Sequence, residues 1–249
     1  MRTRTFLVVL LYFISGLPAS AQLSMGLETG MTRNHLYTSL NNRSNTAYEA
    51  VNGWLIGVPV TYQFNSWLGI QADPLLMQKN YRLRRTGYYD GVYHQNNNYY
   101  LKLPVMAQLC LQYHRLQLFL HAGGYVAWWM AGRIKGVQPA ILNNADPLPA
   151  DEEPDNILQM QQAYAYHERY TFDARKDRRI ELGGLAGLGA GWQLPSGYHL
   201  FVEVRYCSAW NQHQKPYMIR QPAAYNETLM IMTGCRFYIA KRKRNENAD

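Results

Sequence analysis

The charged residues whose spacing matters most in this 249-residue chain are Glu28, Lys102, Glu181, Glu203, Arg205 and Arg236, because each sits in a run that is apolar at every second position. Their place in the alternation puts all six on the polar face of an extended segment, turned away from the apolar side. Charges of both signs inside a fold can carry protons or ions, yet left unpaired they would be costly, so they should pair with one another. An electrostatic plug that fixes strand register is the expected role. His121 and His199 share this face, but no Cys, His, Asp or Glu spacing matches a metal site, and neither a metal nor a cofactor is expected. An enzyme would need a His beside Ser or Asp at one rim. Only His94 near Asp90, and His213, could serve there, and both lack any motif context, so a non-enzymatic protein is expected. Cys110, Cys207 and Cys235 are too few and odd in number for a disulfide framework and read as small apolar fillers.

The elements that must hold these residues are strands. Tyr occurs 20 times and aromatics make up 13 % of the chain, while a 3.6-residue apolar rhythm is nearly absent. Alternation replaces it. Leu101, Leu103, Val105, Ala107, Leu109 and Leu111 interleave with Lys102, Gln108 and Gln112. Leu116, Leu118, Leu120, Val126 and Trp128 interleave with Gln117, His121 and Tyr125. Leu200, Val202, Val204 and Tyr206 oppose His199, Glu203 and Arg205, and Leu229, Ile231, Cys235 and Phe237 oppose Thr228, Gly234 and Arg236. Segments around 54–62 and 180–192 repeat the pattern, the second with Gly183, Gly187, Gly189 and Gly191 on its wet face, where a narrow lumen would need room. A strand near 23–32 and a less regular one near 67–84, with Pro74 marking a bulge, bring the count to about eight.

Runs of ~10 residues exceed soluble strands of ~5 or 6 and suit a bilayer. Tight turns at 64–66, 113–115 and 194–197 alternate with polar stretches near 33–51, 86–96, 134–179 and 212–225, as in barrels with short inner turns and long outer loops. Trp54, Tyr62, Trp67, Tyr99, Trp128, Trp192, Tyr206, Trp210 and Phe237 lie near strand ends, where interfacial girdles form. The expected fold is all-β: a transmembrane antiparallel up-and-down β-barrel over residues 22–240, with a long outer loop at about 134–179.

Arg2 and Arg4 precede an apolar run from Phe6 to Leu17 and a small-residue end at Ala19-Ser20-Ala21, so residues 1–21 read as a signal peptide cleaved after Ala21. The formal charge of +8 falls to +6 once Arg2 and Arg4 are removed (8 − 2 = 6), and no basic stripe suits nucleic acid. Residues 241–249, with Lys241-Arg242-Lys243-Arg244, form a basic tail expected in the periplasm beside anionic headgroups. The expected location is the outer membrane of a Gram-negative bacterium, with lipids and other outer-membrane or periplasmic proteins as partners.

The acidic residues Asp151, Glu152 and Glu153 lie among Pro147, Pro149 and Pro154, which break any regular calcium loop. They are candidate loop contacts, as are Tyr88, Tyr89 and Tyr93 beside Asn96-Asn97-Asn98, a Tyr/Asn-rich tip suited to protein or glycan contact. A short helix is expected between Ile157 and Tyr170.

Tyr100-Leu-Lys-Leu-Pro-Val105, Ile180-Glu-Leu-Gly-Gly-Leu-Ala-Gly-Leu-Gly-Ala-Gly191, Phe201-Val-Glu-Val-Arg-Tyr206 and the strand from Asn226 to Phe237 together resemble the PorT-type outer-membrane β-barrel proteins of Bacteroidetes. The resemblance implies a non-enzymatic component of an outer-membrane assembly, with protein secretion machinery as the namesake's setting. A stand-alone surface barrel that binds an external ligand through its loops is the alternative. The polar extension after Ile239 departs from barrels that end on a terminal aromatic.

Overall fold

The computed structural model describes residues 22–38, 45–144, 155–219 and 221–239. The proposed signal peptide and basic tail fall outside them.

Alternating sequences form strands whose two faces meet different media, and among the described residues eleven strands make one closed sheet. They are β1 (Gln22–Thr38), β2 (Thr46–Gly57), β3 (Val60–Gln63), β4 (Leu68–Ala72), β5 (Leu75–Arg85), β6 (Tyr93–Tyr113), β7 (Leu116–Asn144), β8 (Gln161–Arg169), β9 (Ile180–Gln193), β10 (Tyr198–Ala209) and β11 (Ala224–Tyr238). The strands β2 with β3, and β4 with β5, each form one wall, and β8 lies outside the ring, so the barrel has eight walls. It closes because β1 pairs with β11 from Ser24↔Tyr238 to Thr38↔Ala224 and, on its other edge, with β2 and β3. Closure leaves the ring without a free edge, which is what lets strands cross lipid with every backbone group paired.

Two prolines interrupt the walls without opening the ladder. Pro59 and Pro74 lack an N–H, yet their carbonyls accept from Gly26 (3.0 Å) and Val58 (3.1 Å), and the Asp73 N–H reaches the Pro104 carbonyl at 3.2 Å. The irregularity expected at Pro74 is thus a break between β4 and β5, and Asp73 beside it turns fully into the interior.

The outward face is an apolar belt: Leu27, Met31, Ile56, Leu103, Val105, Leu120, Leu188, Val202 and Ile231 are all exposed. So large an exposed apolar surface needs a nonpolar medium against it. Trp54, Trp128, Tyr206 and Trp210 border it at the outer end, and Tyr62, Trp67, Trp192 and Phe237 at the inner end. The inward face is tight. A Cβ added to Gly187 would lie 2.6 Å from Arg205 Cγ, and at Gly189 and Gly191 it would strike the Phe119 and His199 rings.

Above the belt the structure departs from the sequence reading. The stretch 134–179, expected as one long loop, is in good part a two-stranded ribbon, since β7 runs on to Asn144 and β8 pairs with Arg133–Pro139. The helix expected within 157–170 is the single turn Ile157–Met160. Strand β1 likewise continues to Thr38, and Asn96–Asn98 belong to β6, opposite Tyr81–Lys79, not to a tip. The reason is physical: the ribbon stands in water on both faces, while the upper parts of β1 and β6 turn buried polar residues such as Asn34, Asn96 and Asn98 inward above the lipid, so none of them carries an apolar alternation, and their pairing is visible only once partners meet.

If the belt faces lipid, Leu188→Lys should lower folding stability in bilayers by about 2–4 kcal/mol, since Leu188 sits mid-strand opposite Leu120 and Val204. Denaturant titration read by heat-dependent gel mobility measures this, and an unchanged midpoint would place Leu188 in a polar setting.

Candidate functional site

The six charges predicted for the lumen are all buried there, joined by Asp73 and Lys79, so the barrel wall turns four acids (Glu28, Asp73, Glu181, Glu203) and four bases (Lys79, Lys102, Arg205, Arg236) inward. One group gathers on Arg205. Its Nη1 donates to Asp73 Oδ2 at 2.5 Å, its Nη2 to Glu203 Oε2 at 2.9 Å, its Nε to the other Glu203 oxygen, and Glu28 Oε2 stands 4.0 Å away. His121 Nδ1 lies 2.6 Å from Glu203 Oε1. Arg236 is 4.0 Å from Glu203 Oε2 and covers the Phe201 ring at 4.2 Å. Both carboxylate oxygens of Glu28 lack a protein hydrogen bond among the described residues.

A second group centres on Glu181. It pairs with Lys79, accepts from the Tyr125 hydroxyl at 2.8 Å and from Asn226 Nδ2 at 2.7 Å. Asn34 and Thr228 extend the chain at 3.1 and 2.7 Å. Lys102 Nζ donates to Cys207 Sγ at 2.9 Å and sits 3.8 Å from the centre of the Tyr125 ring. Cys207 is therefore more than a filler. Leu55, Leu75, Met77, Met106, Met230 and Met232 pack around these charges.

Asp73 and Lys79 escaped the sequence reading because polarity inverts near them: Leu75 and Met77 point inward while Gln78 points away. The odd-numbered parity continues through Gln71, Asp73 and Lys79, and that parity is the signal that could have found them.

Below, the lumen ends in a cavity of about 140 Å³ at the inner mouth, lined by Gln63, Gln108, Gln112, Gln117, His199 and Arg236. Above, Trp129 closes it. Its ring stacks on Tyr100 (centroids 6.1 Å apart, 11° between planes) and touches Tyr170, Phe172 and His213 at 5.0, 4.9 and 4.7 Å. Its indole N–H is spent on the Ala131 carbonyl. Over this floor a cup of about 350 Å³ opens outward.

A family model described as outer membrane protein beta-barrel domain matches residues 18–212, well over half of the chain. The chain belongs to the outer membrane protein beta-barrel domain family. This assigns an outer-membrane location to the barrel. No curated protein matches it. Among solved structures, OprG from Pseudomonas aeruginosa is similar at TM-score 0.42 and 12 % identity, covering 88 % of this chain and 95 % of that one. The outer membrane protease OmpT from Escherichia coli stands at 0.42 and 12 %, covering 88 % and 96 %. Neisserial surface protein A stands at 0.39 and 9 %, covering 86 % and 96 %.

On this outer-membrane barrel the predicted loop contacts are dispersed. Tyr88 and Tyr89 meet edge to face at 5.6 Å at the tip before β6, where Asp90 faces Arg84 at 3.8 Å. Tyr93 lies under the Arg82 guanidinium at 5.0 Å. Asp151, Glu152 and Glu153 lie outside the described residues. His94 contacts the Tyr166 hydroxyl at 2.8 Å, while Asp90 has a different partner. His213 belongs to the cup wall, and burial pushes its imidazole below the ordinary 6.5. In the connection after β8, the Arg175 N–H donates to Asp173 at 2.8 Å and holds its carboxyl below the usual range.

Two outcomes follow. Arg205→Met leaves three acids around an uncharged side chain and should cost about 3–5 kcal/mol in denaturant titration, with an unaltered midpoint excluding the plug. Burial disfavours the charged form of His213 in the folded state, so the folded protein takes up this proton less readily than the unfolded chain, and the stability His213 contributes is present above pH 6.5 and is lost as pH falls below it. Proteolysis of the 211–223 loop should therefore accelerate between pH 7 and 5, and less so in His213→Phe.

Proposed function

We propose that this protein is a non-enzymatic outer-membrane barrel that acts by contact at its outer rim and not by conduction. The observation that carries this reading is the lumen: eight walls enclose a space filled by charged and apolar side chains, with Arg205 and Lys79 held by carboxylates, Lys102 held by Cys207 and the Tyr125 ring, and all three fully buried. A side-chain-filled lumen leaves the outer ribbon and cup as the surfaces able to meet other molecules.

On the reading closest to the PorT-type resemblance, the chain is exported by a cleaved segment at residues 1–21 and serves as a structural or interaction component of an outer-membrane assembly in a Bacteroidetes cell, with protein secretion machinery as that assembly. The feature that favours it is β8, which among the described residues pairs with β7 alone and so has an edge suited to a partner strand. The stand-alone reading, a surface barrel that binds an external ligand, is favoured by the floored cup over Trp129.

The test has two parts. In planar bilayers the purified barrel should give no conductance steps, and steps that persist after removal of the ribbon would overturn the contact reading. Isolation from its native outer membrane in mild detergent should recover partner proteins in fixed proportion, and shortening the ribbon from Gln138 to Tyr164 should release them. Recovery unchanged by that deletion would remove the ribbon from the assembly reading.

A further inference from the structure

Resting on the outer-rim reading, we propose that the cup above Trp129 is a binding site for a neutral saccharide. The site lies where β1, β2, β5, β6, β7 and β11 stand above the belt, under the loop that joins β10 to β11 and beside the connection from β8 to β9. Its volume of about 350 Å³ falls in the ordinary range for small-molecule sites, ~300–1,000 Å³.

Three features of the lining select the ligand. First, aromatic rings dominate: Tyr48, Tyr81, Tyr170 and Tyr217 stand partly exposed around the buried floor. Partly exposed rings offer flat apolar faces, and the C–H face of a pyranose ring is the complementary surface. Second, the polar groups beside them are Asn96, Gln214, Gln221 and Thr38, amides and a hydroxyl suited to both donating to and accepting from sugar hydroxyls. Third, the described lining holds no acidic or basic side chain besides His94 and His213, and burial biases both toward the neutral form. A sulfated, phosphorylated or carboxylated ligand would enter such a site without a counter-charge, after losing its hydration.

A peptide fits less well. Peptide grooves in sheet proteins supply unpaired backbone groups, and here the strand backbones that form the walls are already paired in the ring. A purely apolar ligand would cover the Asn96 and Gln214 amides without offering them a partner. The closed floor suits retention, because Trp129, Tyr100 and His213 separate the cup from the Lys79–Glu181 group below.

The test uses the full-length barrel in detergent on a glycan array carrying neutral oligosaccharides, their sialylated and sulfated counterparts, and short peptides. Titration of the strongest hits follows, on wild type, Tyr217→Ala and Gln214→Ala. Both variants alter the loop side of the cup and should leave the heat-dependent gel shift intact. Neutral glycans should bind, and each variant should weaken them at least tenfold. Binding only to acidic glycans or only to peptides would overturn the neutral-saccharide assignment while leaving contact at the rim intact. Glycan binding unaffected by both variants would move the site out of the cup. No binding to any probe, with partner proteins still recovered from the membrane, would overturn the cup as a saccharide site and spare the outer-rim reading. Loss of both would sink that reading as well.

Discussion

Arg205 carries more of this structure than any other side chain, because an eight-walled ring encloses too little space to hydrate the charges turned into it. A guanidinium can serve several carboxylates at once through its planar fork, and here it faces Asp73 from the β4–β5 junction, Glu203 from its own strand and Glu28 from β1. Those contacts span three walls of the ring. The register of each wall is thereby tied to the others, since a slip by one residue would carry a charge from the lumen to the lipid. Glycine on β9 gives Arg205 its room, and Asp73 keeps the inward parity of its neighbours across the break at Pro74. Backbone irregularity and charge placement are two sides of one arrangement.

The consequence for function is a separation of roles along the barrel axis. In the membrane zone the interior is committed to holding the ring together and the exterior to solvation by lipid. Neither surface is left for recognition. Above that zone the ladder of β7 and β8 continues into water, and the strand ends gather tyrosines, amides and His213 around a closed aromatic floor. Chemistry suited to recognition is concentrated where neither lipid nor charge balance constrains the side chains.

Much of this was legible in residues met one after another. A strand with one face to lipid must alternate, so β6, β7, β9, β10 and β11 declared their faces, and with them the inward course of Lys102, Glu181, Glu203, Arg205 and Arg236. The tight turns and the girdle aromatics followed from the same period. The family match and the closed ring agree with that reading of the fold.

What the sequence could not decide was which inward charges meet, because partners such as Arg205 and Asp73 are 132 residues apart and only ring closure brings them together. Lys79 and Asp73 were hidden where the lumen takes Leu75 and Met77 and the usual polarity inverts. The ribbon was hidden for a different reason. Strands wet on both faces carry no alternating signal, so the pairing of β7 with β8 exists only as hydrogen bonds across space. The cup is likewise a tertiary object, assembled from six strands and two connecting segments that no local pattern links. The sequence by itself determined the faces of the strands and the medium each face requires, because side-chain direction alternates along a single strand. Only the tertiary structure decided the charge partners, the ribbon and the cup, because each depends on which strands close the ring beside one another.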